Sequence, residues 1–133
     1  MTKGETNLQT LITNMEPILN EGEYVFVSVQ NMDVIPQPMV ISTMKEKEGT
    51  TVVLSRKDAE SLGFEVDFVA AWITLNIHSA LDAVGLTAAF ASVLGKHDIS
   101  CNVIAGFYHD HIFVHVDDRD KAMKVLWDMT KEV

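Results

Sequence analysis

Two β-patterned runs joined by a short turn, with an amphipathic stretch directly behind them, occur twice in this chain. That repetition limits the available folds more than any other feature. In the first copy MVISTMKE and TTVVLS flank KEGT, and RKDAESLG follows as a short helix with Gly63 as its stop. In the second, ISCNVIAGF and HIFVHV enclose YHD, and DRDKAMKVLWDMTKEV carries an apolar stripe of Ala122, Val125, Leu126 and Met129. A constant shift of 63 residues pairs Val40-Ile41 with Val103-Ile104, Val53 with Val116, Arg56 with Arg119 and Ala59 with Ala122. Repeated units of this kind bury a shared core. Halves of roughly 65 residues are marginal alone, so they are expected to pack together. The expected division is 1–68 and 69–133.

Each copy is preceded by a further strand. EYVFVSV sets Val25, Val27 and Val29 against Tyr24, Phe26 and Ser28, a period of two with one buried face. VAAWITLNI does the same ahead of the second copy, and Leu86, Phe90, Val93 and Leu94 then make a helical stripe over 85–97. The second half thus reads strand, helix, strand, strand, helix. The first half has the proline-bearing loop NMDVIPQP where that middle helix stands. An N-terminal helix on Leu8, Leu11, Ile12 and Met15, capped by Asn7 and ended by Pro17, is expected to fill the place. Completed by a strand from the other copy, the order is a split βαβ. The expected fold class is α+β: two ferredoxin-like, βαββαβ-type modules, each an antiparallel sheet with helices on one face.

Strand alternation then assigns the faces. If Ile112, Val114 and Val116 point to the helices, then His111, Phe113 and His115 point away from them. Trp72, Thr74 and Asn76 share that outer side. It is too apolar for open water, so Trp72, His111, Phe113 and His115 are expected to line an interface, with a homo-oligomer, a dimer, as its simplest origin. An imidazole of ordinary pKa, about 6.5, would make such an association pH-sensitive.

Charge and composition exclude several classes. Ten basic and nineteen acidic residues give a net charge of -9, which repels nucleic acid and anionic membranes. The longest uncharged stretch, 68–81, has 14 residues, short of the roughly 20 needed to span a bilayer. The polar start and a single cysteine, Cys101, predict a soluble, cytoplasmic chain. His109, His111 and His115 resemble a metal set in composition only. His111 and His115 lie about 13 Å apart on an extended strand, and no HExxH or paired-cysteine motif accompanies them. GxSxG, GxGxxG and GxxxxGK[ST] are absent, and Cys101 falls in a strand, so neither a catalytic residue nor a cofactor is expected.

The run Asp82-Ala83-Val84-Gly85-Leu86, a helix, and then Ile99-Ser100-Cys101-Asn102-Val103 resembles the ACT-domain pattern D-x-P-G-x-L, helix, I-N-I. Val84 stands in place of the proline. Met15-Glu16-Pro17-Ile18-Leu19 with Gly22-Glu23-Tyr24-Val25-Phe26 is similar to a small bacterial family of tandem ACT-like proteins of unknown activity. ACT modules are regulatory ferredoxin-like domains that commonly bind amino acids where two modules meet, and tandem versions resemble cytosolic arginine sensors of animals. The resemblance therefore implies an amino-acid site at Asp82, Val84, Gly85, Leu86 and Asn102. In such a site Asp82 would take the ligand's ammonium. Gly85 would let backbone approach, and the N–H groups of the helix start would meet a carboxylate. Asn102 would serve the ligand's polar end. The function expected is non-catalytic sensing of an amino acid, with a ligand-free interaction module as the alternative and a metal-dependent enzyme behind both.

Overall fold

The computed structural model describes residues 7–77 and 85–131. Asn7 caps the first helix, α1 (Leu8–Asn14), its side chain accepting from the Thr10 N–H at 3.0 Å. A short strand follows at once, β1 (Glu16–Leu19), then β2 (Tyr24–Val29). The proline loop forms two 3-10 turns, Met32–Val34 and Gln37–Met39. The first hairpin is β3 (Ser42–Lys45) and β4 (Thr50–Ser55), leading into α2 (Arg56–Ser61). β5 (Ala70–Asn76), α3 (Leu86–Lys96), β6 (Asn102–Ala105) and β7 (Asp110–His115) come next. A 3-10 turn at Val116–Asp118 then opens α4 (Arg119–Lys131).

The architecture is the expected α+β one, and the chain divides into two compact units. Glu21–Ala70 holds strands in the order β3-β4-β2. Its core is Val25, Val29, Val52, Leu54 and Ala59, closed by Ile35 with the partly buried Met32 and Met39. The proline loop, not the N-terminal helix, therefore supplies the apolar cover where the middle helix is missing.

The second unit joins Met1–Asn20 to Ala71–Val133, with strands in the order β1-β5-β7-β6. Its fourth strand comes from the N-terminal segment, as a borrowed strand was expected to. Glu16 pairs with Asn76 and Leu19 with Ile73, antiparallel. Pro17 is tolerated inside β1 because, among the described residues, the strand pairs only with β5, so the missing N–H faces no ladder. Leu11 and Ile12 of α1, with Met15 just after it, are buried in one core with Ile73, Leu75, Phe90, Leu94, Ile112, Val114, Val125 and Leu126. The side of β7 that enters this core is the predicted one, but the strand ends at His115 and Val116 belongs to the turn beyond it.

The internal repeat is real but has two registers. β3 and β4 map onto β6 and β7 with a shift of 60, Thr50 onto Asp110 and Ser55 onto His115, and the two inner strands share one burial pattern. Matching bonds close the two hairpins, Glu46 N–H to Gly49 O at 3.1 Å and Gly106 N–H to His109 O at 2.9 Å. The helices match at 63, Arg56 with Arg119 and Ala59 with Ala122, because the turn Val116–Asp118 inserts three residues between strand and helix. Pairing Val53 with Val116, or Val40-Ile41 with Val103-Ile104, carried the helix register into the strands.

Candidate functional site

Gly85 opens α3 in the left-handed region, φ +93°, and among the described residues no side chain caps the helix. The first helical bond is from Ala89 N–H to Gly85 O at 2.9 Å. The N–H groups of Leu86, Thr87 and Ala88 thus point out of the helix end, where an anion is favoured. Leu86 turns its side chain into the core. One side of the turn is already occupied: a Cβ on Gly85 would lie 3.2 Å from a Leu8 methyl. Asp82 and Val84 lie outside the described residues.

Asn102 lies far from this turn. It begins β6 opposite Phe113, and Phe113 stacks on Trp72 near the start of β5, with ring centroids 6.0 Å apart. The glycine turn follows the other end of β5, where Ile77 O meets His109 Nδ1 at 3.3 Å. The far end of α3 confirms this, since Lys121 at the start of α4 donates to His97 O at 2.6 Å. A helix of eleven residues is about 16 Å long, and that is the order of the separation between Gly85 and Asn102. Within one module they stand toward opposite ends of α3.

The outer face of this sheet carries a connected polar set instead. Trp72 Nε1–H donates to His111 Nδ1 at 3.0 Å, and Thr74 Oγ1 lies 3.1 Å from the same nitrogen. Asn20 Nδ2 donates to Thr74 Oγ1 at 2.9 Å and reaches Trp72 O at 3.2 Å. Burial, then His109, push the His111 pKa below its ordinary value, with Asp110 opposing. Burial raises Asp110 in turn. Trp72, His111 and Phe113 thus do lie together. Asn20 was missed by sequence reasoning, and its only signal was the turn-forming run Asn20-Glu21-Gly22.

His115 does something different. Its Nδ1 accepts from Asp117 N–H at 3.1 Å, capping the turn before α4 as Ser55 Oγ caps α2 by accepting from Asp58 N–H at 3.1 Å. His109 lies in the hairpin turn and bonds to Ile77, away from His115. Among the described residues, no three His, Cys, Asp or Glu side chains converge as a metal set. No helix among them is long and apolar enough to cross a membrane.

Cys101 packs beside the core just ahead of β6, and burial pushes its thiol up to about 11. Its thiolate fraction at neutral pH should then be about a hundredfold below that of an ordinary cysteine. Labelling by a thiol reagent is expected to slow by about that factor in native protein and to recover in denaturant. Comparable rates in both would contradict the burial.

In the other unit an open groove of about 570 Å³ runs between Gly22, Tyr24, Ser55 and Arg56. Its charges are largely spent on one another. Arg56 Nη1 lies 3.0 Å from Glu23, and Arg56 Nε lies 3.5 Å from Glu60.

Comparison with known proteins accounts for this architecture. ACT-domain family models match residues 3–71 and 68–128. A Vibrio cholerae protein of unknown function, described as a possible transport protein, is 43% identical over 92% of this chain and 95% of its own, with a TM-score of 0.83. An Agrobacterium tumefaciens protein shares 19% identity over 87% of this chain and 89% of that one, at a TM-score of 0.65. E. coli aspartokinase III, in complex with aspartate and ADP, shares the fold at 13% identity over 90% of this chain and 35% of its own, at a TM-score of 0.63. A search among curated protein sequences finds no match. Two successive family matches on one repeated hairpin-and-helix architecture lead to one statement: the chain belongs to the ACT-domain family, with two ACT modules in tandem.

Proposed function

We propose that this chain is a regulatory protein without catalysis of its own, which takes an amino acid at a seam between ACT modules and passes the signal to a protein partner. The observation that carries the reading is the start of α3, where a left-handed glycine leaves three N–H groups aimed outward and no side chain among the described residues caps them. Those donors suit the carboxylate of an amino acid, and Asp82 is the nearest acidic residue in sequence for its ammonium. Asn102, at the other end of its own module, serves a ligand at this turn only when a second module presents it. A homo-oligomer follows from that requirement. The acidic surface and lone high-pKa thiol suit a reducing cytoplasm.

A thermal-shift screen of the twenty amino acids tests the reading. A ligand at a hundred times its Kd should stabilise by about 2.7 kcal/mol, raising the Tm by several degrees. Asn102→Ala, a surface change, should leave the ligand-free Tm nearly unmoved while cutting the ligand shift. Silence from all twenty sinks the amino-acid reading, and an unchanged shift in Asn102→Ala sinks the two-module seam. The Leu8 methyl against Gly85 favours a second reading, in which the turn is only packing and the chain is a ligand-free interaction module. Silence in the screen is what that reading expects.

A further inference from the structure

We propose that His111 is a proton-operated latch on the outer face of the second unit's sheet: as a neutral ring it holds the Trp72 indole, and on protonation it lets the indole go. The hydrogen bonds require this. An indole N–H only donates, and it donates to His111 Nδ1 at 3.0 Å. That nitrogen must therefore carry a lone pair, which puts the ring proton on Nε2. Thr74 Oγ1 already accepts from Asn20, so its own proton is available to the same Nδ1. When Nδ1 gains a proton the threonine can turn and accept it. The indole cannot, and faces N–H against N–H.

The surroundings set the direction of the response. Among the described residues, His109 and Asp110 are the titratable groups acting on His111, both from its own hairpin. β5 contributes Trp72 and Thr74, the end of β1 contributes Asn20, and β6 places Ile104 opposite, none of them charged. Burial is the largest influence and opposes the imidazolium. His109 adds to it and Asp110 works against both. The folded ring thus takes its proton below the ordinary value of about 6.5. A histidine held neutral is fully latched above that value, and the latch is lost as pH falls through its lowered pKa. Trp72 also stacks on Phe113, so loss of its N–H acceptor loosens the aromatic centre of this face.

The test follows the indole N–H of Trp72 by 15N NMR between pH 8 and 5 in Trp127→Phe protein, so that one indole signal remains. That signal is expected to move in one step with a midpoint below 6.5, coincident with the His111 ring. In His111→Gln, whose amide oxygen accepts the indole at every pH, the step should vanish. His109→Gln should keep the step and move its midpoint upward, because a repelling neighbour is gone. That second variant decides the matter if His111→Gln does not fold. A step that persists in His111→Gln, one abolished by His109→Gln, or a Trp72 signal that stays still while His111 titrates would each overturn the latch.

Discussion

A chain beginning at residue 69 is expected to be unfolded, although it contains nearly all of the second ACT match, 68–128. It lacks α1 and β1. Leu11 and Met15 are almost wholly buried and Ile12 is 7% exposed, all within the core of the C-terminal unit. Burying each such side chain is worth roughly 1.5–3 kcal/mol, so the three together rival the entire stability of about 5–15 kcal/mol of an ordinary domain. Removing β1 also bares the β5 edge from Ile73 to Asn76. Circular dichroism and urea titration check the expectation. A peptide of residues 1–20 added in trans should restore structure, and Leu11→Ala in the whole chain should cost about 2–5 kcal/mol. Cooperative folding of 69–133 alone would show that the N-terminal segment is an accessory and not part of that core.

Gly85→Val is expected to destabilise the protein by about 2–4 kcal/mol. The left-handed backbone costs a residue with a Cβ roughly 1–2 kcal/mol, more when it is β-branched. The new carbon would also press on Leu8 at 3.2 Å. Gly63 is the control. Its φ is +85° and nothing lies within 4 Å of its absent Cβ, so Gly63→Val should show the backbone cost alone. Leu8→Ala should recover part of the Gly85→Val cost but none of the Gly63→Val cost, as a double-mutant cycle in chemical denaturation would show. Equal costs at the two glycines would mean that Leu8 does not rest on the turn. Loss of ligand response in Gly85→Val would then report damage to the helix start as much as a blocked approach, which is why Asn102→Ala is the cleaner probe of the seam.

Local chemistry was legible in the sequence because it acts over a few residues. Asn7 and Ser55 cap as their types predict, and Gly63 ends α2 with Phe64 N–H returning to Ala59 O at 3.0 Å. The stripe of α4 is buried residue for residue, and the alternation of β5 puts Ile73 and Leu75 inward with Trp72 and Thr74 outward. Even so, the candidate site was legible only in part. The turn at Gly85 was found as a motif, whereas its distance from Asn102 was hidden, because neighbours in a motif can stand at opposite ends of a helix.

What the tertiary structure alone decided are the long-range choices. Periodicity marks α1 as a helix with one apolar face, but either core could have taken that face. Pairing of β1 with β5, across more than fifty residues, settles it in favour of the C-terminal unit. Pro17 reads as a terminator of helix, and only a strand edge with no ladder on its N–H side makes it a strand residue. His111 reads as one of three histidines. Its role as an acceptor comes from Trp72, thirty-nine residues away, since no local pattern specifies which donor will face a ring nitrogen once the sheet is paired.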